Sequence, residues 1–174
     1  MAAEYIWLLL KVSFWAEALS IEEVAKRNFD SGFNCAESTL AAVKDGLGAR
    51  GRAGDPVIPR IATGFGGGIS RNGDVCGAII GGVMAISLAL GRDKSEQSRE
   101  PCYRAVDRFY NDFRIRFGSC KCRELTNTNL KTAEGAMIYK TEVHTDVCLP
   151  LVAWAAKRAS DIIEETTSAG ISTP

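Results

Sequence analysis

The chain is 174 residues long, 46% hydrophobic and 24% charged, with 21 acidic side chains against 21 lysines and arginines. That length is about one domain, enough to bury a core without disulfide staples. The balanced charge supplies no bulk field for nucleic acid or an anionic membrane, so neither is expected as a partner. An apolar run from Tyr5 to Trp15 comes first, but Met1 to Glu4 carries no positive charge and Lys11 interrupts the run, which argues against a signal peptide. The run is also too short to span a bilayer. It reads as an extra amphipathic helix within residues 1–18, with Ile6, Leu9, Leu10 and Phe14 on one side. The expectation is a cytoplasmic protein with reduced thiols.

Ser20 with Glu23 forms a capping-box pattern, opening a helix that runs through Val24 and Phe29 to stop at Gly32. Asn34 with Glu37 repeats the pattern and opens a helix to Leu47. A loop from Gly46 to Pro59 leads, through a short segment at Ile58 to Ala62, into glycines at 64, 66, 67, 68 and 73, which permit positive φ or close approach. From Asp74, read as an N-cap, an apolar helix runs to Leu90 and closes at Gly91. Gly77, Gly81 and Gly82 on it clear space for helix packing.

Residues 94–117 read as a helix interrupted near Pro101, with Tyr103, Val106, Tyr110, Phe113 and Phe117 on one face and Gly118 at its end. Ser119 is the expected cap of a short helix carrying Cys122. Asn127 to Val143 is polar and unpatterned and reads as a surface excursion. Asp146 is the expected cap of the last helix, whose buried stripe is Val152, Ala155, Ala156, Ala159, Ile162 and Ile163, with a frayed tail over 166–174. Nothing alternates with period two. The fold class is all-α: one domain spanning 1–174, a bundle of about six helices with a glycine-rich loop before the central one.

Six cysteines are present. Cys35, Cys76, Cys122 and Cys148 each lie close behind an expected helix start, where the orphan N–H groups and the helix dipole favour thiolate over thiol. If those starts converge, they enclose an electropositive pocket. Cys102 reads as a buried hydrophobe, and Cys120 is left without a role. His144, the only histidine, is more simply solvated than a thiol partner. The G-F-G-G-G loop fits neither dinucleotide-binding nor P-loop spacing.

The sequence F-N-C-A-E at 33–37, A-T-G-F-G-G-G at 62–68, C-G-A-I-I-G at 76–81, F-G-S-x-x-C-R-E-L at 117–125 and a late cysteine before an apolar helix resembles the C_GCAxxG_C_C family of redox-active proteins. Here Val75 precedes Cys76 and Gly77 follows it, a Cys-Gly-Ala variant of the family's Gly-Cys-Ala. The resemblance implies a small helical cytoplasmic protein whose characteristic cysteines are Cys35, Cys76, Cys122 and Cys148. Two chemistries suit them. In thiol–disulfide exchange Cys76 is the expected nucleophile, any of the other three resolves the mixed disulfide, and no cofactor is required. Alternatively the four ligate an iron–sulfur cluster or a zinc ion, although none sits in a compact C-x-x-C pair. The expected partner is a redox protein or a small disulfide or oxidant, with a homo-oligomer also allowed.

Overall fold

A computed structural model of the chain describes residues 19–47 and 57–169. The helix expected within 1–18, most of the loop after Gly46 and the last five residues lie outside that range.

Helix α1, Ile21–Asp30, begins at the predicted capping box: the Ser20 hydroxyl accepts the Glu23 N–H at 3.2 Å while the Glu23 carboxylate accepts the Ser20 N–H at 2.8 Å. Helix α2, Cys35–Gly46, starts the same way. Asn34 Oδ1 accepts the N–H groups of Ala36 and Glu37, and the Glu37 carboxylate accepts the Asn34 N–H at 2.8 Å. This second box also reaches across the chain. Thr63 donates its hydroxyl to Glu37 at 2.5 Å, and Asn34 Nδ2 donates to the Thr63 carbonyl at 3.0 Å. The start of α2 is thereby fastened to a 3₁₀ turn, Arg60–Phe65, that leads into the glycine loop.

Helix α3, Gly77–Leu90, is central and apolar, with Ile79 and Ile86 fully buried. Its glycines act as predicted. A Cβ at Gly81 would stand 2.5 Å from the Ala36 carbonyl oxygen and one at Gly82 would stand 2.3 Å from Phe109 Cζ, so α2 crosses α3 at backbone distance while the Phe109 ring of α4 seats on Gly82. Helix α4, Glu100–Phe117, starts later than predicted because residues 91–99 form a loop and Pro101 falls in the first turn, where its missing N–H costs nothing. It ends at Gly118, with φ of 81°. The buried face of α4 is Cys102, Ala105, Phe109 and Phe113, while Tyr103 and Tyr110 are 57% and 39% exposed. The expected aromatic face is corrected accordingly: small side chains at 102 and 105 turn toward the glycine-bearing helix, and the tyrosines turn outward.

Helices α5, Cys122–Thr126, and α6, Ala133–Ile138, are short. From α6 a π-helical segment, Tyr139–Cys148, runs without a break into α7, Leu149–Ser168. The polar stretch after Asn127 is therefore helical over much of its length, and Asp146 lies inside a continuous helix rather than capping one. All six residues of the predicted stripe on α7 are fully buried. They meet α1, α2, α3 and α4. At the outer end, Trp154 receives Phe113 and Phe117 edge-on at 5.7 and 5.3 Å. Arg158 also reaches Asp112 of α4, its Nε and Nη2 donating at 2.8 and 2.7 Å.

Among the described residues there is no strand, and the one β-bridge joins Val75 to Lys121. No helix among them is long and apolar enough to cross a membrane. Because Phe109 is fully buried and has nowhere to retreat, Gly82→Ala is expected to cost about 1–3 kcal/mol by overpacking, read as a lower denaturant midpoint at unchanged slope.

Candidate functional site

The glycine loop supplies the frame of the site. Gly67, Gly68, Ile69, Ser70 and Arg71 all have positive φ, between 49° and 66°, so the chain makes a turn of left-handed helical sense. Each non-glycine residue in that conformation costs roughly 1–2 kcal/mol, and for a β-branched side chain such as Ile69 it is a true outlier. The turn is held by its own backbone, the N–H groups of Ser70, Gly73 and Asp74 reaching the carbonyls of Gly64, Gly67 and Gly68 at 3.0–3.2 Å. Backbone strain of this kind concentrates at functional sites.

The strained turn sets two cysteines. At Gly68 a Cβ would lie 2.7 Å from Cys122 Cβ and 2.5 Å from the Asp74 carbonyl oxygen. Beyond it, the Val75–Lys121 bridge clamps the chain: the Cys76 N–H donates to the Cys120 carbonyl at 2.8 Å and the Cys122 N–H to the Asp74 carbonyl at 2.7 Å. Cys76 and Cys122 thus flank the Val75–Lys121 pair, one on each segment. Cys76 is itself the N-cap of α3, and Lys121 takes that place for α5. Asp74 and Ser119, the expected caps, instead bond locally, Asp74 to the Val75 N–H and Ser119 to the Lys121 N–H and the Glu124 carboxylate.

Cys35 enters from the first turn of α2. Its sulfur presses on α3, so that a Cβ at Gly77 would lie 2.3 Å from Cys35 Sγ. Cys148 closes the π-helical segment. All four cysteines line one cavity of about 680 Å3, together with Phe29, Leu125, Tyr139 and Leu151. The spatial expectation drawn from the sequence, four sulfurs from distant segments around one space, describes this arrangement. The other two cysteines stand outside it. Cys102 packs beside the Ser87 hydroxyl at 3.7 Å, and Cys120, whose carbonyl holds Cys76, is buried beside Tyr110. His144 stacks face to face on Phe29 at 4.3 Å and meets the edge of Tyr139, so its ring is half-buried rather than solvated, and it does not line the cavity.

The electrostatics correct one expectation. Helix starts favour thiolates, but burial outweighs them here. It raises Cys35, raises Cys76 well above the ordinary thiol range, raises Cys122 to about 11 and pushes Cys148 up as well. The charge of Cys35 adds to the rise at each of the other three. Opposing burial at Cys35 are the backbone N–H groups of Gly67, Ala36, Gly77 and its own residue. Cys76 has such help from Ala78, and Cys122 from the Thr126 side chain and the Arg123 charge. Burial also raises the Tyr139 hydroxyl, with the charges of Cys148, Cys35 and Cys122 behind it. Tyr139 sits in the stretch read as a surface excursion, and no local pattern marks it.

These shifts make stability fall in alkali. An acid whose folded pKa lies above its unfolded value binds more protons folded than unfolded between the two, so stability is full below the unfolded pKa and declines above it. For Cys122, carried from 9.0 to about 11, the loss is on the order of 2 kcal/mol. Denaturant midpoints are expected to drop as pH rises from about 8.5 to 11, and less steeply in Cys122→Ser.

Among the described residues no group of three or more Cys, His, Asp or Glu side chains is disposed to hold a metal ion. The four sulfurs share a cavity without forming, among the described residues, a ready cage for a single metal ion.

A helical fold that brings four thiols from four segments around one small cavity defines a cysteine-centred protein. The family described as "Putative redox-active protein (C_GCAxxG_C_C)" matches residues 33–162. The chain belongs to that family, and with it goes a redox role in general terms. Comparison with curated proteins and with solved structures gives no match.

Proposed function

We propose that the protein exchanges thiols and disulfides, with Cys35 as the attacking sulfur and Cys76 as the resolving one. The observation that carries this is the setting of Cys35: half-buried on the cavity wall, surrounded by backbone N–H groups and in contact with the residue next to Cys76. The sequence-based choice of Cys76 as nucleophile is reversed because Cys76 is only 5% exposed and has less help from backbone N–H groups.

The Cys35 thiolate attacks one sulfur of a disulfide RS–SR′, the S–S bond breaks and R′S⁻ departs as a thiol after taking a proton. Cys76 then gives up its proton and attacks Cys35 Sγ in the mixed disulfide. A Cys35–Cys76 bond forms and RS⁻ leaves, taking up that proton. Two protein thiols lose two electrons and one substrate disulfide gains them. Cys122 and Cys148, which line the same cavity, accept the bond in later exchange.

Equilibration against thiol/disulfide buffers, followed by acid trapping and mass counting of free thiols, tests the reading. One two-electron couple is expected, changing tenfold per ~30 mV, that Cys35→Ser abolishes. A thiol count that stays constant from about −320 to −120 mV refutes it. The iron–sulfur or zinc alternative predicts instead stoichiometric metal after anaerobic reconstitution, lost on replacing any one of the four cysteines.

A further inference from the structure

The same cavity carries a charge pattern that the cysteine chemistry leaves unused. Arg71, Lys131 and Lys140 line it, all three exposed, and among the described residues no aspartate or glutamate does. None of the three takes part in an ion pair among the described residues. Lys131 instead donates to the Asn72 side chain beside Arg71. Arg71 ends the left-handed turn, and a Cβ at the turn's Gly67 would lie 3.1 Å from both Arg71 Cα and the Leu130 side chain, so Arg71 and the segment carrying Lys131 flank the same glycine. Lys140 adjoins Tyr139 on the π-helical side. The rest of the wall is largely apolar, and the volume of about 680 Å3 falls in the range of roughly 300–1,000 Å3 that suits a small molecule rather than a protein loop.

Three cations without carboxylate partners in a chain of zero net charge are a local field, not a bulk one. A cleft lined with one sign of charge raises the local concentration of counter-ions by roughly 10- to 1,000-fold. We infer that the cavity takes a low-molecular-weight disulfide bearing carboxylates, held by Arg71, Lys131 and Lys140 while its sulfur reaches Cys35. The inference rests on the exchange reading for its chemistry, but the anion site stands on geometry alone, and the two are separable by experiment.

Two probes of matched length, dithiodipropionate and bis(3-hydroxypropyl) disulfide, differ in charge and share the aliphatic disulfide. The ratio of their rates of reaction with the reduced full chain cancels any general change in thiol reactivity. In the triple variant Arg71→Gln, Lys131→Gln, Lys140→Gln that ratio is expected to fall about tenfold, and in the wild type it is expected to fall similarly as salt rises from about 0.02 to 0.5 M. A ratio that is the same in both proteins and insensitive to salt overturns the inference while leaving exchange intact. Thiodipropionate, which has no S–S bond, supplies a second readout by NMR titration. It is expected to bind the wild type and to bind the triple variant at least about tenfold more weakly. Binding of thiodipropionate without reaction of either disulfide keeps the anion site and refutes the exchange reading. Equal binding to both proteins overturns the site.

Discussion

Cys35→Ser is expected to lower the rate of disulfide exchange by at least about a thousandfold with the fold intact, since removing a nucleophile that acts as part of a unit costs factors of this order or more. A serine hydroxyl stays protonated where a thiol ionises, yet it is smaller than the thiol and can use the same backbone donors. The contact with Gly77 is therefore not tightened. Circular dichroism and the denaturant midpoint check the fold, and the rate with hydroxyethyl disulfide checks the loss. Cys102→Ser supplies the contrast. Its thiol faces Ser87 across the other side of α3, away from the cavity, so the exchange rate should change less than about twofold while stability drops by on the order of 1 kcal/mol from burying another hydroxyl.

Gly68→Ala is expected to be strongly damaging for a single methyl. The residue has φ of 66°, which costs an alanine about 1–2 kcal/mol. The new Cβ would also meet the Asp74 backbone at 2.5 and 2.7 Å and Cys122 Cβ at 2.7 Å. Neither contact is with the loose end of a flexible side chain. The Asp74 carbonyl that must shift is the one accepting the Cys122 N–H, so the strain passes directly to the cavity wall. A total near 3–5 kcal/mol is expected, strain and overpacking together, with faster alkylation of Cys122. Gly64→Ala is the control. Nothing lies within 4 Å of a Cβ there and its φ is not positive, so its midpoint should move by less than about 0.5 kcal/mol.

Features written in short-range code were legible from the sequence. Ser20 with Glu23 and Asn34 with Glu37 are reciprocal caps whose partners lie three residues apart, and both form as read. The α7 stripe was readable because a buried helix must repeat its apolar positions at the helical period. The aromatic reading of α4 failed for a complementary reason. Gly82 of α3 receives the Phe109 ring and Ser87 receives Cys102, so the buried face runs through 102, 105, 109 and 113 and counting tyrosines pointed to the wrong side.

The four cysteines singled out as a group line one cavity, but the helix-start reason given for them holds best at Cys35. Asp74, Ser119 and Asp146 do not cap the helices assigned to them, and Cys148 sits within a continuous helical run with no free N-terminus. A π-helical segment has no residue preference that a local pattern can detect, and its bonds are fixed by what packs around it. The left-handed turn was half visible. Gly67 and Gly68 announce positive φ, whereas Ile69, Ser70 and Arg71 follow them against their own preference and only the tertiary frame holds them there. The opposition between burial and helix-start electrostatics was beyond reach for the same reason, because burial depends on contacts distant in sequence.

Treating the fully reduced chain with one equivalent of a small disulfide, quenching over time and mapping peptides without reduction tests the central claim most directly. The account predicts adducts first on Cys35, followed by a Cys35–Cys76 linkage as the adduct disappears. First labelling at Cys102 or Cys120 with Cys35 unmodified, or a final bond that joins neither Cys35 nor Cys76, would contradict it.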